Sequence, residues 1–456
     1  MTAGRHPGEV VPFSPHAHDT FRFLDRSMDD RGVVRLRYGL DGGPEFEERF
    51  DLPLPDSREA VDEARIERLL SLLHWVAGVS YYKTAAPPRV AFSGGPPPPA
   101  TATLLEVLYS EGLGEFAATA GLRHIPRPAF APGPAPDLHP DDTPPRRVLV
   151  PVGGGKDSAV AIEVVRRSGL EFALFSVGAA PAIERTVAVA DRPWLRARRH
   201  IDPLVRDGLL HSALNGHVPV TAIVSCVALL VAALHGYDTV SLANERSASA
   251  GNRWFDGVEI NHQFSKSARA EALFADALRE VAPGLRLFSI LRPASELSIA
   301  RAFARLTRYH RAFTSCNRVF RIDEARRSES WCGDCDKCRF VFLILAPFLD
   351  PGAMRDIFGS DMLNDDTQRD GFARLTGTGG HKPFECVGEV EESVAAARML
   401  ASDPRWRDHR VVAHLAEHVL PRFGADVADP AEIMELSSEH AVPADLLPAL
   451  HEILGT

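Results

Sequence analysis

Residues 148–165 have the sequence VLVPVGGGKDSAVAIEVV. An apolar, β-branched run typical of a buried strand is followed by three glycines, by Lys156-Asp157-Ser158 and by a run with helical spacing. Glycine-rich turns between a strand and a helix commonly bind phosphate. Their backbone N–H groups crowd around an anion with no Cβ in the way, and the helix dipole adds positive charge. These residues therefore predict a phosphate-binding loop at the carboxyl end of a strand.

The sequence that follows this loop predicts a parallel sheet. Apolar runs with β-type composition alternate with runs of helical spacing, and the alternation continues to TVSLAN at residues 239–244. Such alternation is typical of an α/β fold with a doubly wound parallel sheet, whose ligands bind beyond the carboxyl ends of the strands. Cys226 lies inside the most apolar helical run and is predicted to be a core residue.

Changes of composition divide the 456-residue chain, which is too long for one hydrophobic core. The N-terminal part combines a hairpin pattern around Gly42-Gly43 with a helical run that we expect Ser57 to cap. A proline-rich stretch that cannot hold regular structure then marks a linker. The predicted parts are an N-terminal α+β domain (1–125), the linker (126–145), the α/β domain with the loop (146–350) and a mainly helical C-terminal region (351–456).

Charge and hydropathy argue against several classes of protein. The net charge of −10 argues against general affinity for nucleic acid, which requires a basic surface. No charged-then-apolar leader opens the sequence, and the longest apolar run is shorter than a membrane span. We therefore expect a cytoplasmic protein with no membrane segment and no nucleic-acid partner. The sequence leaves a homo-oligomer open.

Three of the six cysteines lie in the segment CGDCDKC. The two-residue spacing lets the thiolates of Cys332, Cys335 and Cys338 turn towards one ion, and Cys316 upstream completes a tetrahedral set. His310 is an alternative fourth ligand. We predict a structural zinc site, with an iron–sulfur cluster or reduced free thiols as the alternatives.

The loop itself departs from two common phosphate-binding patterns. The Walker A pattern needs a glycine where Val150 stands, and the dinucleotide fingerprint needs one where Ser158 stands. The loop instead resembles the pyrophosphate loop of the ATP pyrophosphatase (PP-loop) superfamily, written Ser-Gly-Gly-x-Asp-Ser, with Gly153 in place of the first serine. That resemblance implies a fold like the adenine nucleotide alpha hydrolases and cleavage of ATP to AMP and pyrophosphate. The residues that it implies at the nucleotide are Gly153, Gly154, Gly155, Lys156, Asp157 and Ser158.

Three further polar segments are candidates for the site. The first follows the strand TVSLAN, at the sheet edge where a nucleotide or substrate is expected. The second is GVEINHQFSKS at residues 257–267, and the third is GTGGHKPFECVGE at residues 377–389. Composition alone also allows the second to be a surface loop and the third an interdomain turn. Their candidate side chains are Asn244, Glu245 and Arg246 in the first, His262 and Lys266 in the second, and His381, Lys382 and Cys386 in the third.

Taken together, GVSYYK, GGGKDS, LANERSAS, NHQFSKS, WCGDCDKCRFVFLILAPFL and GHKPFECVGE resemble one family, the UDP-N-acetylmuramoyl-L-alanyl-L-glutamate epimerases of an alternative peptidoglycan pathway. The resemblance runs in the same order from about residue 75 to about residue 390. It implies that ATP and Mg²⁺ are used to convert the terminal L-Glu of UDP-MurNAc-L-Ala-L-Glu to D-Glu. An acyl-adenylate is the implied intermediate, and AMP and pyrophosphate are the implied products.

The resemblance also implies roles for the candidate residues. Adenylation of the α-carboxylate makes the α-proton more acidic, so that a base can remove it and an acid can return a proton to the other face. The loop amides, Lys156 and Ser158 would hold pyrophosphate, and Asp157 would help to place Mg²⁺. Arg246 is the candidate for contact with the UDP of the substrate. The acid and base candidates are His381 and Cys386 first, and then His262, Lys266 and Lys382.

Two other functions agree with parts of the sequence. The cysteine pattern, Ser-Cys-Asn followed by Cys-Gly-x-Cys-x-x-Cys, also resembles 7-cyano-7-deazaguanine synthases, which use it for zinc in the same superfamily. A zinc-containing PP-loop ligase or thiolase acting on a nucleobase or tRNA is therefore the alternative enzyme. A nucleotide-sensing or scaffold protein is the non-enzymatic alternative, and the intact Lys156-Asp157-Ser158 argues against it.

Overall fold

The structure is a computed structural model. It describes residues 10–59, 61–139, 143, 146–251, 253–320, 328–378, 387–424, 427 and 429–455.

Contacts between Cα atoms divide the chain into two compact units that alternate along the sequence. The first unit comprises Met1–Pro144, Leu195–Val240 and Trp254–Leu287, and the second comprises Pro145–Trp194, Ser241–Arg253 and Phe288–Thr456. The sequence pattern groups all of residues 146–350 together, whereas the structure assigns two of its segments to the first unit. The pattern shows where strands and helices alternate, but it does not show which core each of them joins.

Thirteen strands and seventeen α-helices lie in the described residues. The strands are β1 (Val11–Pro12), β2 (Thr20–Met28), β3 (Val33–Leu40), β4 (Glu45–Asp51), β5 (Arg89–Phe92), β6 (Arg147–Pro151), β7 (Glu171–Val177), β8 (Trp194–His200), β9 (Leu210–His211), β10 (Thr239–Leu242), β11 (Arg253–Phe255), β12 (Val258–Ile260) and β13 (Arg286–Ser289).

The helices are α1 (Glu63–Ala77), α2 (Val79–Tyr82), α3 (Pro99–Ser110), α4 (Gly114–Thr119), α5 (Lys156–Ser168), α6 (Pro181–Ala190), α7 (Pro203–Arg206), α8 (Val220–Leu234), α9 (Ala268–Val281), α10 (Glu296–Ala304), α11 (Asp336–Leu345), α12 (Pro351–Phe358), α13 (Arg369–Leu375), α14 (Val390–Ser402), α15 (Arg410–His414), α16 (Pro430–Ile433) and α17 (Leu447–Leu454). Among the described residues, none of these helices is both long and apolar enough to cross a bilayer.

The sheet of the first unit has the strand order β5-β2-β3-β4-β8. Strands β3 and β4 form the predicted hairpin, with Val34 opposite Phe50 and Tyr38 opposite Phe46. Alternate side chains of both strands are buried, as expected for a sheet with one face on a core. An aromatic cluster fills that core, and Tyr38 stacks on Tyr81 with ring centroids 5.0 Å apart.

A pair of opposite charges lies in the core of this unit. Glu48 is 0% exposed, and its carboxylate pairs with the guanidinium of Arg199, which also donates to Ser80 Oγ at 2.9 Å. Burial raises the pKa of Glu48, and the charge of Arg199 opposes that rise. Because a buried charge is strongly destabilising once its partner is removed, this pair is a sensitive point of the first unit.

The substitution Glu48→Gln should lower the free energy of unfolding by about 3 kcal/mol, because it leaves the Arg199 guanidinium buried without its counter-ion. Glu45→Gln, on the same strand as Glu48, is the matched control, since it breaks an exposed pair with Arg37 of β3 and should cost less than about 1 kcal/mol. Urea unfolding of both variants measures the difference. Equal losses of stability would contradict this account of the pair.

The second unit contains the strand–loop–helix–strand segment predicted from the sequence. Strands β6 and β7 pair in parallel, with Val148 opposite Phe172, and α5 connects them. Helix α5 ends where Gly169 takes a φ of +77°, a conformation that glycine adopts without a Cβ penalty. The strand order is β13-β10-β6-β7, and α5 packs against α10 and α17. The prediction of a mixed α/β fold with parallel strands is thus confirmed.

Two predictions about single residues have different outcomes. Cys226 is buried in α8, as predicted. The prediction that Ser57 caps the first long helix is wrong, because the carboxylate of Asp62 accepts the Arg65 N–H at 3.0 Å and α1 begins directly after it. Ser57 lies further upstream, where its Oγ accepts a backbone N–H within a turn.

Candidate functional site

The loop between β6 and α5 turns at Gly154, whose φ is +81°. A Cβ on Gly154 would stand 2.8 Å from the backbone of Ala182, so α6 leaves room only for glycine. A Cβ on Gly155 would stand 2.8 Å from Ser315 Oγ. Gly153 differs, because a Cβ there would stand 3.8 Å from its nearest neighbour, Ser158 Oγ. The turn therefore requires glycine at the second position of the loop and tolerates a side chain at the first.

The first turn of α5 offers N–H donors beside this loop. Gly155 is the N-cap residue, and among the described residues no side chain caps this helix start. Uncapped N–H groups at a helix N-terminus, together with the helix dipole, suit an anion such as phosphate. Ser158 Oγ accepts the Gly153 N–H at 2.9 Å, which closes the loop against the helix.

Lys156 is enclosed by carboxylates. Its ammonium, with 1% side-chain exposure, contacts Asp157 Oδ1 and Glu296 Oε2. Burial lowers the pKa of Lys156, but Asp157 and Glu296 raise it by more, so that the ammonium stays charged. A second lysine, Lys337, has its Nζ 3.9 Å from Glu296 Oε1. The predicted contact of Lys156 with phosphate stays a prediction.

The same carboxylates connect the loop to α14. Glu392 is buried, and its two carboxylate oxygens accept the N–H groups of Glu296 and Glu389, each at 2.7 Å. Burial and the charge of Glu296 raise the pKa of Glu392 to about 8. Burial also raises the pKa of Glu296, and the charge of Lys156 opposes that rise. Burial thus opposes ionisation of both carboxyl groups, and the positive charge of Lys156 favours ionisation of Glu296.

Three carboxylates of the second unit form a candidate site for a divalent cation. Asp157, Glu245 and Glu296 each place an oxygen within 4.8 Å of the others. Carboxylate oxygens are the ligands that Mg²⁺ prefers. Burial, and after it the charges of Asp157 and Glu245, raise the pKa of Glu296, so a divalent cation between the three carboxylates would relieve their repulsion. The donor set therefore fits Mg²⁺.

The neighbours of Glu245 make contacts within the second unit. Asn244 Nδ2 donates to Ser289 Oγ at 3.1 Å. The guanidinium of Arg246 donates to the backbone carbonyls of Ile433 at 2.9 Å and Glu435 at 3.1 Å. These contacts stabilise the end of β10 and the C-terminal segment. The predicted contact of Arg246 with UDP stays a prediction.

The four predicted cysteines converge in the second unit, with all their Sγ atoms within 4.8 Å of one another. Sγ of Cys338 lies 3.4 Å from that of Cys335 and 3.7 Å from that of Cys332. A disulfide would bring two sulfurs to about 2.05 Å. Tetrahedral zinc with Zn–S bonds of about 2.3 Å separates its sulfurs by about 3.8 Å. The set, completed by Cys316, fits zinc. His310 lies outside it, against a backbone carbonyl of α10, so the alternative with His310 as the fourth ligand is wrong.

Local sequence explains how the cysteine cluster forms. Gly333, with a φ of +67°, provides the turn between the first two cysteines of CGDCDKC. Cys335 is the N-cap residue of α11, and its Sγ accepts the Cys338 N–H at 3.4 Å. Trp331 packs on Phe313 and fixes the entry to the turn. The thiolates therefore point to one place because a glycine turn leads directly into a helix start.

We expect about one zinc ion per purified chain by elemental analysis, because four thiolates form a closed tetrahedral site. Cys335→Ser should lose that zinc, since it removes one thiolate ligand while the serine hydroxyl can still cap α11. Cys226→Ala, at a buried cysteine in the first unit, should retain it. A folded chain that carries no zinc, or iron in place of zinc, would contradict this prediction.

A separate polar cluster lies in the first unit and contains two predicted residues. His262 Nδ1 donates to Glu115 Oε2, and His217 Nδ1 lies 3.6 Å from the same oxygen. The two imidazole rings lie 4.6 Å apart. Lys266 donates to Gln263 Oε1 at 3.0 Å. Burial lowers the pKa of His217 to about 4, so this imidazole is neutral at pH 7.

The remaining predicted residues, His381, Lys382 and Cys386, lie outside the described residues. Their predicted roles stay predictions. The described chain resumes at Val387 and then supplies Glu389 of the capping box at the start of α14.

Sequence reasoning missed several residues of these clusters. Glu296 and Glu392 complete the surroundings of Lys156, and Glu115 and His217 complete those of His262. None of them belongs to a spacing motif. Glu296, for example, follows an N-cap serine, where a glutamate is common in any helix. Only the folded chain brings these groups together.

Two family models, for two domains of one family, match the chain. The MurL N-terminal domain matches residues 12–290, and the MurL C-terminal domain matches residues 312–429. The first match alone covers more than half of the 456 residues. The chain therefore belongs to the MurL family.

Curated relatives cover nearly the whole chain. A protein of Salinispora tropica is 46% identical over 88% of this chain and 89% of its own length, and one of Micromonospora sp. is 44% identical over 95% and 98%. A protein of Xanthomonas oryzae pv. oryzae is 40% identical over 96% and 98%. All three are named UDP-N-acetyl-alpha-D-muramoyl-L-alanyl-L-glutamate epimerase. No solved structure matches the chain.

Proposed function

We propose that this protein epimerises the terminal L-Glu of UDP-MurNAc-L-Ala-L-Glu to D-Glu, using ATP and passing through an acyl-adenylate. The observation that carries the proposal is the similarity to three epimerases, 40–46% identical over almost their full lengths. The glycine loop of the second unit supports the ATP-dependent part. AMP and pyrophosphate are the proposed co-products, and peptidoglycan precursor synthesis is the proposed pathway.

Adenylation answers a chemical problem of this reaction. Removal of the α-proton next to an ionised carboxylate would place two negative charges on adjacent atoms. Joining the carboxylate oxygen to the α-phosphorus of ATP, with loss of pyrophosphate, removes one of these charges and makes the proton more acidic. A base can then take the proton, and an acid can return one to the opposite face. Hydrolysis of the adenylate releases the epimerised product and AMP.

In this proposal the loop binds the pyrophosphate that leaves ATP. The N–H groups of Gly154 and Gly155 and the first turn of α5 would donate to its oxygens, in the manner of the PP-loop superfamily. Asp157, Glu245 and Glu296 would hold Mg²⁺, which balances charge on the phosphates. Lys156 balances the negative charge of the carboxylates beside the loop.

The candidates for proton transfer come from two segments of the sequence. His262 and Lys266 lie in the described polar cluster of the first unit. His381 and Cys386 belong to the segment outside the described residues. Epimerisation needs one group that takes a proton and one that gives a proton, so two members of this set are sufficient.

One observation favours a second candidate function. The four-cysteine cluster fits zinc, as in PP-loop enzymes that act on a nucleobase. A ligase or thiolase acting on a nucleobase or tRNA would use the same loop for adenylation. The net charge of −10 argues against tRNA, and not against a small base.

An incubation in D₂O tests the proposed reaction. Purified protein with ATP, Mg²⁺ and UDP-MurNAc-L-Ala-L-Glu should release AMP and pyrophosphate, and the recovered dipeptide should contain D-Glu with deuterium at Cα. The deuterium appears because the proton returned to Cα comes from a group that exchanges with solvent. Chiral analysis and mass spectrometry of the glutamate measure both outcomes.

Parallel incubations with 7-carboxy-7-deazaguanine and with tRNA serve as controls. ATP cleavage only in the presence of one of these would replace the epimerase proposal with the second candidate function. Racemised glutamate without ATP cleavage would contradict the acyl-adenylate.

Two glycines of the loop give a matched pair of variants. Gly154→Ala should reduce pyrophosphate release by roughly 10²-fold, because its φ of +81° and the nearby backbone of Ala182 exclude a Cβ and misplace the loop amides. Gly153→Ser should retain most of the activity, since the space at this position is open. Pyrophosphate release by both variants and the wild type is the measurement. Equal activity of the two variants would contradict the role of the loop.

A further inference from the structure

The segment that leads into Cys316 lies against the glycine loop of the same unit. Thr314 N–H donates to the Gly154 carbonyl at 2.9 Å, so the two stretches of chain are hydrogen-bonded to each other. A Cβ on Gly155 would stand 2.8 Å from Ser315 Oγ and 4.0 Å from Ser315 Cβ. Because the oxygen is the nearer atom, the serine turns its hydroxyl towards the N-cap residue of α5.

The approach of Ser315, and not the backbone, calls for glycine at position 155. Gly155 has a φ of −89° and a ψ of 175°, which any residue can adopt. Ser315 supplies the nearest atoms to the place that a Cβ would take. The missing Cβ therefore leaves room for a hydroxyl beside the N–H groups that start α5, where an anion such as phosphate is expected.

A lysine between two of the cysteines lies at the carboxylates of the same site. Lys337 stands between Cys335 and Cys338, in the first turn of α11. Its side chain is 10% exposed, and its Nζ lies 3.9 Å from Glu296 Oε1, whereas Lys156 contacts the other oxygen of this carboxylate. The spacing of the cysteines thus brings a second ammonium to the edge of the candidate Mg²⁺ site.

The charges of this site favour a second ammonium for a phosphate ligand. The carboxylates of Asp157, Glu245 and Glu296, when ionised, would repel the phosphates of ATP. A Mg²⁺ ion and the ammonium of Lys156 offset these charges. The ammonium of Lys337 adds positive charge at the same place, and a charged N–H donor forms strong hydrogen bonds with phosphate oxygens.

We propose that Ser315 and Lys337 bind phosphate oxygens of ATP together with the glycine loop, so that the segments carrying the cysteines form the second half of the nucleotide site. The inference rests on the proposed use of ATP. Ser315 donates a neutral hydrogen bond through its hydroxyl, and Lys337 donates a charged one through its ammonium. Neither residue gives up its proton to the substrate. Their effect is on the affinity for ATP and for the pyrophosphate that leaves it.

Binding of two phosphate ligands to the purified protein tests the proposal. The probes are inorganic pyrophosphate and α,β-methylene-ATP, each with Mg²⁺, and isothermal titration calorimetry measures their Kd. Lys337→Gln should raise the Kd of both probes by roughly 30-fold, and Ser315→Ala by roughly 5-fold, because a hydrogen bond from a charged donor contributes more than a neutral one. Lys337→Arg, which keeps the charge, should lose less affinity than Lys337→Gln.

Each residue has a matched control in the same unit. Arg374→Gln removes the same charge from a side chain that is 43% exposed and that pairs with Asp336, the neighbour of Lys337. Ser360→Ala removes a hydroxyl that lies beside the turn at Gly333, within the surroundings of the cysteines. Both controls should bind the two probes with the affinity of the wild type.

Metal content and melting temperature separate phosphate binding from a structural role. Lys337→Gln and Ser315→Ala should keep the metal content of the wild type. Unchanged affinity for both probes in either variant would overturn the proposal for that residue, and so would a weaker affinity that appears only with loss of metal. A wild type that binds neither probe would instead contradict the proposed use of ATP, so the two failures are distinguishable.

Discussion

The buried ammonium of Lys156 is the charge on which the arrangement of the second unit depends. A charge removed from water at this position is tolerated only where carboxylates surround it, since an unpaired buried charge costs several kcal/mol. Asp157 and Glu296 supply those carboxylates, and Glu296 is itself the first residue of α10. Helices α5 and α10 are therefore held together at their N-terminal ends. The loop in front of Lys156 takes its position from this contact.

The network of carboxyl groups around Lys156 continues from Glu296 to Glu392 of α14. The surroundings of the loop therefore depend on whether these carboxyl groups are charged. Glu392 has a pKa of about 8, above the ordinary 4.5, because it is buried beside Glu296. A carboxyl group whose pKa rises on folding stabilises the fold fully below its unfolded pKa. That contribution is lost as the pH rises from 4.5 towards about 8. A divalent cation between Asp157, Glu245 and Glu296 would lower the pKa of these carboxyl groups, because it favours their charged form.

The parts of the fold and site that could be predicted are those with local causes. The β6–loop–α5 segment follows from an apolar run, three glycines and a helical run closed by Gly169, all within a short stretch. The cysteine cluster likewise follows from two-residue spacing. The contact of Lys156 with Glu296 spans 140 residues and has no local signature. The same holds for Glu115 beside His262, and for the assignment of Leu195–Val240 to the first unit.

The two regions matched by the family models are not independent structures. Lys156 lies in the first matched region, Glu392 in the second, and Glu296 in the residues between them. The hydrophobic core of the second unit likewise contains Val148 of β6 together with Cys338 of the cysteine cluster. Neither region can therefore complete the loop or its core without the other.

The cysteine cluster also touches the loop through the residues that precede its first member. Thr314 N–H donates to the Gly154 carbonyl at 2.9 Å, and Ser315 Oγ lies where a Cβ on Gly155 would have to go. Cys316 follows directly. A metal ion bound by Cys316 would therefore also fix Thr314 and Ser315, which contact the loop. The cysteine cluster, although it belongs to no step of the proposed chemistry, would then set how closely the loop amides can surround the phosphate that we propose they bind.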